Sequence, residues 1–225
     1  MQKQALLILA KEPRPGKAKT RMTPPLTPDQ AAALSSAFIA DTLAAASQAK
    51  GTDIHLFYTP RESYSFFREL APEGIALIPQ QGTDLRERCA HSVSFAFEKG
   101  YDRIVQIGTD TPQIRAVHIR KAFAVLKDYD MTLGPANDGG YYLLALRRPA
   151  PSLYDGVEMG TERVLPKMLD NARNMGLSIR FMPEWIDADT FEDLLDLQRD
   201  PQQIPGRSTR GFLAALDRKG PPPRR

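Results

Sequence analysis

The chain has 225 residues, 42% hydrophobic and 25% charged, with a formal net charge of +3. This is the composition of one sizeable folded domain, and no apolar run approaches the roughly 18 residues that a membrane helix needs. Residues 201–225 hold six cations against Asp217, a local balance of +5 that leaves residues 1–200 at −2.

The first apolar run, ALLILA, is too short for a signal-peptide core and is followed by charged Lys11, so a cytoplasmic location is expected. The single cysteine, Cys89, has no internal disulfide partner, which fits a reducing compartment, and no nucleophile signature surrounds it. After ALLILA comes AKEPRPGKAKTRM, with Lys11, Arg14, Lys17, Lys19 and Arg21 around Gly16. A phosphate-binding P-loop needs two framing glycines and a hydroxyl directly after its lysine; here Gly16 stands alone and Ala18 follows Lys17, so that reading fails. The five cations form either a shaped anion-binding loop or a solvated basic face.

Strand-like runs then alternate with helical patterns: a helix over Pro28–Ala49, IHLFYT, a helix over Pro60–Leu70, IALIP, a helix over Leu85–Phe97, and RIVQIG. Alternation of this kind predicts a mostly parallel sheet with helices on both faces. Thr27-Pro28 with Gln30, and Thr59-Pro60 with Glu62, read as two helix starts. Beyond Ile107 follow a helix near Ala116–Leu126, the strand MTLGP, the turn NDGG and the strand YYLLAL. That connection is too short for a crossover helix, so the two strands form a hairpin or neighbours joined by a functional loop, and one strand runs antiparallel. A helix near Glu162–Met175, the strand IRFMPEW and a helix over Phe191–Arg199 complete a three-layer, Rossmann-like α/β sandwich over residues 1–200. Residues 201–225 read as a basic Pro/Gly-containing extension with a short helix near Phe212–Leu216 and no nucleic-acid reader motif.

Ligands of parallel α/β sheets bind beyond the carboxyl ends of the strands. That rule selects the cationic loop, Thr109-Asp110-Thr111-Pro112, Asn137-Asp138-Gly139-Gly140 and Asp187-Ala188-Asp189. Carboxylates facing cations suit a magnesium or manganese ion bridging protein and polyphosphate. Each acid also has a purely structural reading: Asp110 as a turn residue, Asp138 as a hairpin residue, Asp187 or Asp189 as a helix cap, although Thr190 with Asp193 already supplies that cap. His55, His91 and His118 are too scattered for a zinc site and read as structural or exposed.

Together AKEPRPGKAKTRM, IGTDTP, LGPANDGGYYLLAL and DADTFEDL resemble the nucleotide-diphospho-sugar transferase superfamily, with the glycosyltransferase-A fold, and most closely its DUF2064 branch, over about residues 4–199. The resemblance implies a seven-stranded, mostly parallel sheet with one antiparallel strand. It implies metal ligation by Asp110 and Asp189, with Asp187 as the alternative because Phe191 stands where the family has proline. It implies a triphosphate grip by the loop, with Lys19 and Arg21 catalytic beside Lys11, Gly16, Lys17 and Thr20. Gly82 and Asp84, in QQGTDLRERC, match the family's base- and sugar-contacting region.

Three functions follow from this resemblance. The first is metal-dependent nucleotidyl transfer from a nucleoside triphosphate to a small phosphorylated acceptor, favoured over the second because Asp110-Thr111-Pro112 lacks the D-x-D often found in glycosyltransferases. The second is glycosyl transfer from a nucleotide sugar, and the third a non-catalytic nucleotide-binding module. Asp138, Gly139, Gly140 and Tyr141 are the expected acceptor contacts. Neither nucleic acid nor membrane is an expected partner.

Overall fold

The computed structural model describes residues 3–218. Seven strands form one sheet: β1 (Gln4–Lys11), β2 (Asp53–Thr59), β3 (Ile75–Pro79), β4 (Arg103–Ile107), β5 (Met131–Pro135), β6 (Tyr141–Leu146) and β7 (Ile179–Phe181), in the spatial order β3-β2-β1-β4-β6-β5-β7. All neighbours are parallel except β6, which runs antiparallel to both β4 and β5. Residues 136–140 alone join β5 to β6, too few for a crossover, so the chain must reverse direction there.

Side chains alternate across the strands and divide the core in two. Leu6, Ile8, Val105, Ile107, Leu143 and Ala145 face α1 (Pro28–Ser47), α2 (Tyr64–Leu70) and α4 (Ala116–Val125). Ala5, Leu7, Ile104, Leu144 and Leu146 face α3 (Leu85–Glu98) and α5 (Val164–Asn174). A third cluster lies behind α1, where Met22, Leu26, Leu34 and Phe38 meet Ala188, α6 (Phe191–Gln198) and α7 (Arg207–Arg218). Helix α1 therefore buries side chains on two sides, Ile39 and Leu43 toward the sheet and Leu34 and Phe38 toward the C-terminal helices. Among the described residues, no helix is long and apolar enough to cross a membrane.

Several boundaries differ from the sequence expectations. Thr27 and Gln30 form the expected capping box, but Thr59 caps nothing: it ends β2 in register with Lys11, and its carbonyl accepts the amide of Glu12. A short 3-10 turn, Arg61–Ser63, precedes α2, which starts at Tyr64. The run IRFMPEW is a strand only to Phe181; beyond Pro183 it rejoins β5 through the backbone amide of Trp185, which donates to Pro135. Proline cannot donate to a ladder, so the pairing is interrupted there. The C-terminal helix spans Arg207–Arg218 rather than Phe212–Leu216. Its start is tied down by Asp41 on α1, which accepts the amides of Ser208 and Thr209. Residues 219–225 of the basic tail lie outside the described residues.

Candidate active site

The carboxyl ends of β1, β2 and β4 and the β5–β6 turn open onto one cavity of about 560 Å³. The acids at its floor come from separate segments. Asp110 follows β4, while Asp187 and Asp189 follow the Trp185 bridge, and the backbone amide of Ala188 donates to the Asp110 carbonyl at 2.9 Å. One carboxylate oxygen from each of Asp110, Asp187 and Asp189 lies within 4.8 Å of the others. Thr190 and Asp193 cap α6 reciprocally, as expected, which leaves Asp189 free of that duty.

These residues fit a divalent cation. The donor set is entirely hard oxygen, and Asp187 Oδ1 is buried with no hydrogen-bond partner among the described residues. Burial, and then the charge of Asp110, push the Asp187 carboxyl up to about 8, against the opposing pull of Lys19. The cluster thus holds more negative charge than its single buried cation offsets.

That cation is Lys19. Its Nζ lies 2.8 Å from Asp110 Oδ1 and 2.8 Å from Asp189 Oδ1, its side chain is only 5% exposed, and its backbone is left-handed at φ 45°. Burial by itself would lower the lysine pKa; Asp110 and Asp189 outweigh it and hold the ammonium well above its ordinary range. Arg21 is 70% exposed and only grazes Asp189, at 3.9 Å. Lys11, Lys17 and Thr20 are exposed at the cavity, and Gly16 turns the loop with φ 73° so that Lys17 and Ala18 donate to the Arg14 carbonyl. Arg14 faces away: Glu12 and Glu62 hold it, and Ser63 joins Glu12 at 2.6 Å.

The other candidates divide. Asp138, Gly140 and Tyr141 line the cavity. Gly139 lies behind it, where a Cβ would come within 2.5 Å of Glu162 Cα; with φ 84° this position requires glycine. The Tyr141 hydroxyl turns inward to Tyr154 and Gln106, which also binds Ser92 and the Cys89 carbonyl beneath the cavity. Burial pushes the Cys89 thiol up to about 12, so it stays protonated, in keeping with the absence of a nucleophile signature. Gly82 and Asp84 do not line the cavity: Asp84 caps α3 by accepting the Glu87 amide, and Gly82 packs against Glu87 and Arg88.

Arg88 and Gln80, unselected from sequence, do line the cavity. Gln80 donates to the carbonyls of Ala10 and Phe57, joining the ends of β1 and β2. The strand-end rule applied to β3 points to Gln80; Arg88 sits one helical turn into α3 and carries no such signal. The histidines are half-buried: His55 bonds Tyr101, and His118 packs edge-on against Trp185.

The model of DUF2064, described as an uncharacterised protein conserved in bacteria, matches residues 42–161, just over half of the chain. The chain belongs to the DUF2064 family. A solved relative with the same fold throughout, a candidate nucleotide-diphospho-sugar transferase from Desulfovibrio desulfuricans G20, is 33% identical to this DUF2064 protein. It superposes with a TM-score of 0.88 over 97% of this chain and 96% of its own. The 2-phospho-L-lactate guanylyltransferase of Methanothermobacter thermautotrophicus is 27% identical over 181 residues, 79% of this chain and 77% of that enzyme. Rv0371c of Mycobacterium tuberculosis H37Rv, solved in complex with manganese, shares the fold at 19% identity, with a TM-score of 0.56 over 88% of this chain and 99% of its own. The seven-stranded sheet with its antiparallel β6 is accordingly that of the nucleotide-diphospho-sugar transferase superfamily.

Proposed function

We propose that this DUF2064 protein is a divalent-metal-dependent nucleotidyltransferase that joins a nucleoside triphosphate to a small phosphorylated acceptor. The observation that carries the reading is the acid triad at the strand ends, facing a loop of exposed lysines across one cavity. The likeness to a guanylyltransferase makes guanosine triphosphate the first nucleotide to test.

In the reaction, an acceptor phosphate oxygen bonds to the α-phosphorus, the bond from that phosphorus to the β-bridging oxygen breaks, and pyrophosphate leaves. A magnesium or manganese ion held by Asp110, Asp189 and Asp187 would offset the negative charge of the phosphates. Lys11, Lys17 and Arg21 draw the triphosphate to the loop, and Asp138 and Gly140 face the acceptor side of the same cavity. Such catalysis is positioning and electrostatics, so no protein nucleophile is required. Glycosyl transfer is the second reading, supported by the D-x-D spacing of Asp187 and Asp189 within the triad.

Two measurements test this. The thermal midpoint with each nucleoside triphosphate and a panel of nucleotide sugars, with and without magnesium or manganese, is expected to rise with one triphosphate and metal. The rise is roughly 5–10 °C at saturating ligand and is absent in Asp110→Asn. Turnover should release pyrophosphate; release of nucleoside diphosphate from a nucleotide sugar would replace the first reading with the second.

A further inference from the structure

Lys19 is expected on a triphosphate, yet it is bonded to two carboxylates of the triad. It lines the cavity with Lys11 and Lys17, but its ammonium is turned onto the acids rather than toward the open space. Its ammonium is 2.8 Å from one oxygen of Asp110 and 2.8 Å from one oxygen of Asp189, and it is almost fully enclosed. No other described cation reaches Asp110, and Arg21 stays 3.9 Å from Asp189.

We propose that Lys19 is a built-in counter-ion occupying the metal position, and that a divalent ion must expel its ammonium to bind the triad. This rests on the reading that the triad holds such an ion. An ion held by Asp110, Asp187 and Asp189 would draw on the same carboxylates whose oxygens already hold the ammonium at 2.8 Å, within a cluster whose ligand atoms lie within 4.8 Å of one another. The two also compete for the same charge, and like charges in contact within a partly dry site repel strongly.

The chain offers the displaced side chain a destination. Lys11 and Lys17 already face the cavity, and Lys19 is two residues from Lys17, beyond the turn at Gly16. Lys19 already lines the same cavity, so expulsion frees its ammonium for the phosphates only when metal is present. Metal and triphosphate binding become positively coupled through one side chain, and bare triphosphate meets an incomplete grip.

The test is manganese binding to the purified, nucleotide-free protein, followed by electron paramagnetic resonance of the free ion, in wild type, Lys19→Met and Asp110→Asn. Lys19→Met keeps much of the apolar stem and removes the competing charge, so manganese is expected to bind at least about tenfold more tightly. Asp110→Asn should abolish binding. Manganese that binds wild type in an Asp110-dependent manner, with unchanged or weakened binding to Lys19→Met, would overturn the competition while leaving the metal site intact. No binding to either wild type or Lys19→Met would overturn both readings.

A second readout needs no variant, should Lys19→Met fail to fold. Acylation of wild-type lysines by an N-hydroxysuccinimide ester, mapped by mass spectrometry, should spare Lys19 without metal and modify it severalfold faster with manganese. Equal protection in both conditions would defeat the proposal.

Discussion

Two cations of one loop show how neighbouring side chains take different work. Arg14 and Lys17 are three residues apart, but Arg14 is held by Glu12 and Glu62 whereas Lys17 is exposed at the cavity. Lys17→Ala is therefore expected to weaken triphosphate binding by about tenfold at low salt, an effect that shrinks as salt screens the interaction. Arg14→Ala should leave that affinity within about twofold and act instead on thermal stability, since it strips a partner from Glu12. Isothermal titration with both variants, beside their melting curves, checks the division. Both residues are equally basic in sequence; the difference is that Glu62 and Ser63 approach only one of them, from a segment almost fifty positions away.

Strand ends are tied by polar groups as much as by apolar packing. Asp130, just before β5, accepts the Ser178 amide and hydroxyl at the start of β7 and the Arg147 guanidinium just after β6. The Ser178 amide, with Arg147 and the Ser178 hydroxyl, outweighs the opposing effect of burial and holds its carboxyl far below the ordinary carboxylate range. A folded-state value below the unfolded one means that the contribution is present above about pH 4 and is lost as the pH falls further. Asp130→Ala should cost about 2 kcal/mol at pH 7, a drop of roughly 4–8 °C in melting temperature, and the gap from wild type should close below pH 4. The elements themselves are legible from local pattern: residues 5–8 of ALLILA and residues 104–107 of RIVQIG supply the buried centre of the sheet, and Thr27 with Gln30 marks the start of α1. The Thr59 signal misleads because the same residue pairs along β2, and tertiary pairing outweighs a local capping preference.

The third core cluster joins the ends of the chain to the site. Met22 follows Arg21, Ala188 lies between Asp187 and Asp189, and both pack with Phe38, Leu194, Leu197 and Leu213. We accordingly treat α7 as part of the folded unit rather than as an extension beyond residue 200. Leu213→Ala, at a side chain 7% exposed, should destabilise the protein by about 2–3 kcal/mol, seen as a lower melting temperature. It should also weaken manganese binding, because the loops carrying Lys19 and Asp189 rest on that cluster. A variant that melts like wild type would return α7 to the status of an appendage. The sequence by itself determined the α/β alternation, the cationic loop and the three strand-end acids, because these are set by apolar periodicity and by residues adjacent in the chain. Only the tertiary structure decided that β6 lies between β4 and β5, that Arg88 and Gln80 line the cavity, and that Lys19 points at carboxylates instead of phosphates. Each of these is a contact between segments distant in sequence, fixed by how buried apolar faces and unpaired charges are satisfied once the whole chain is packed.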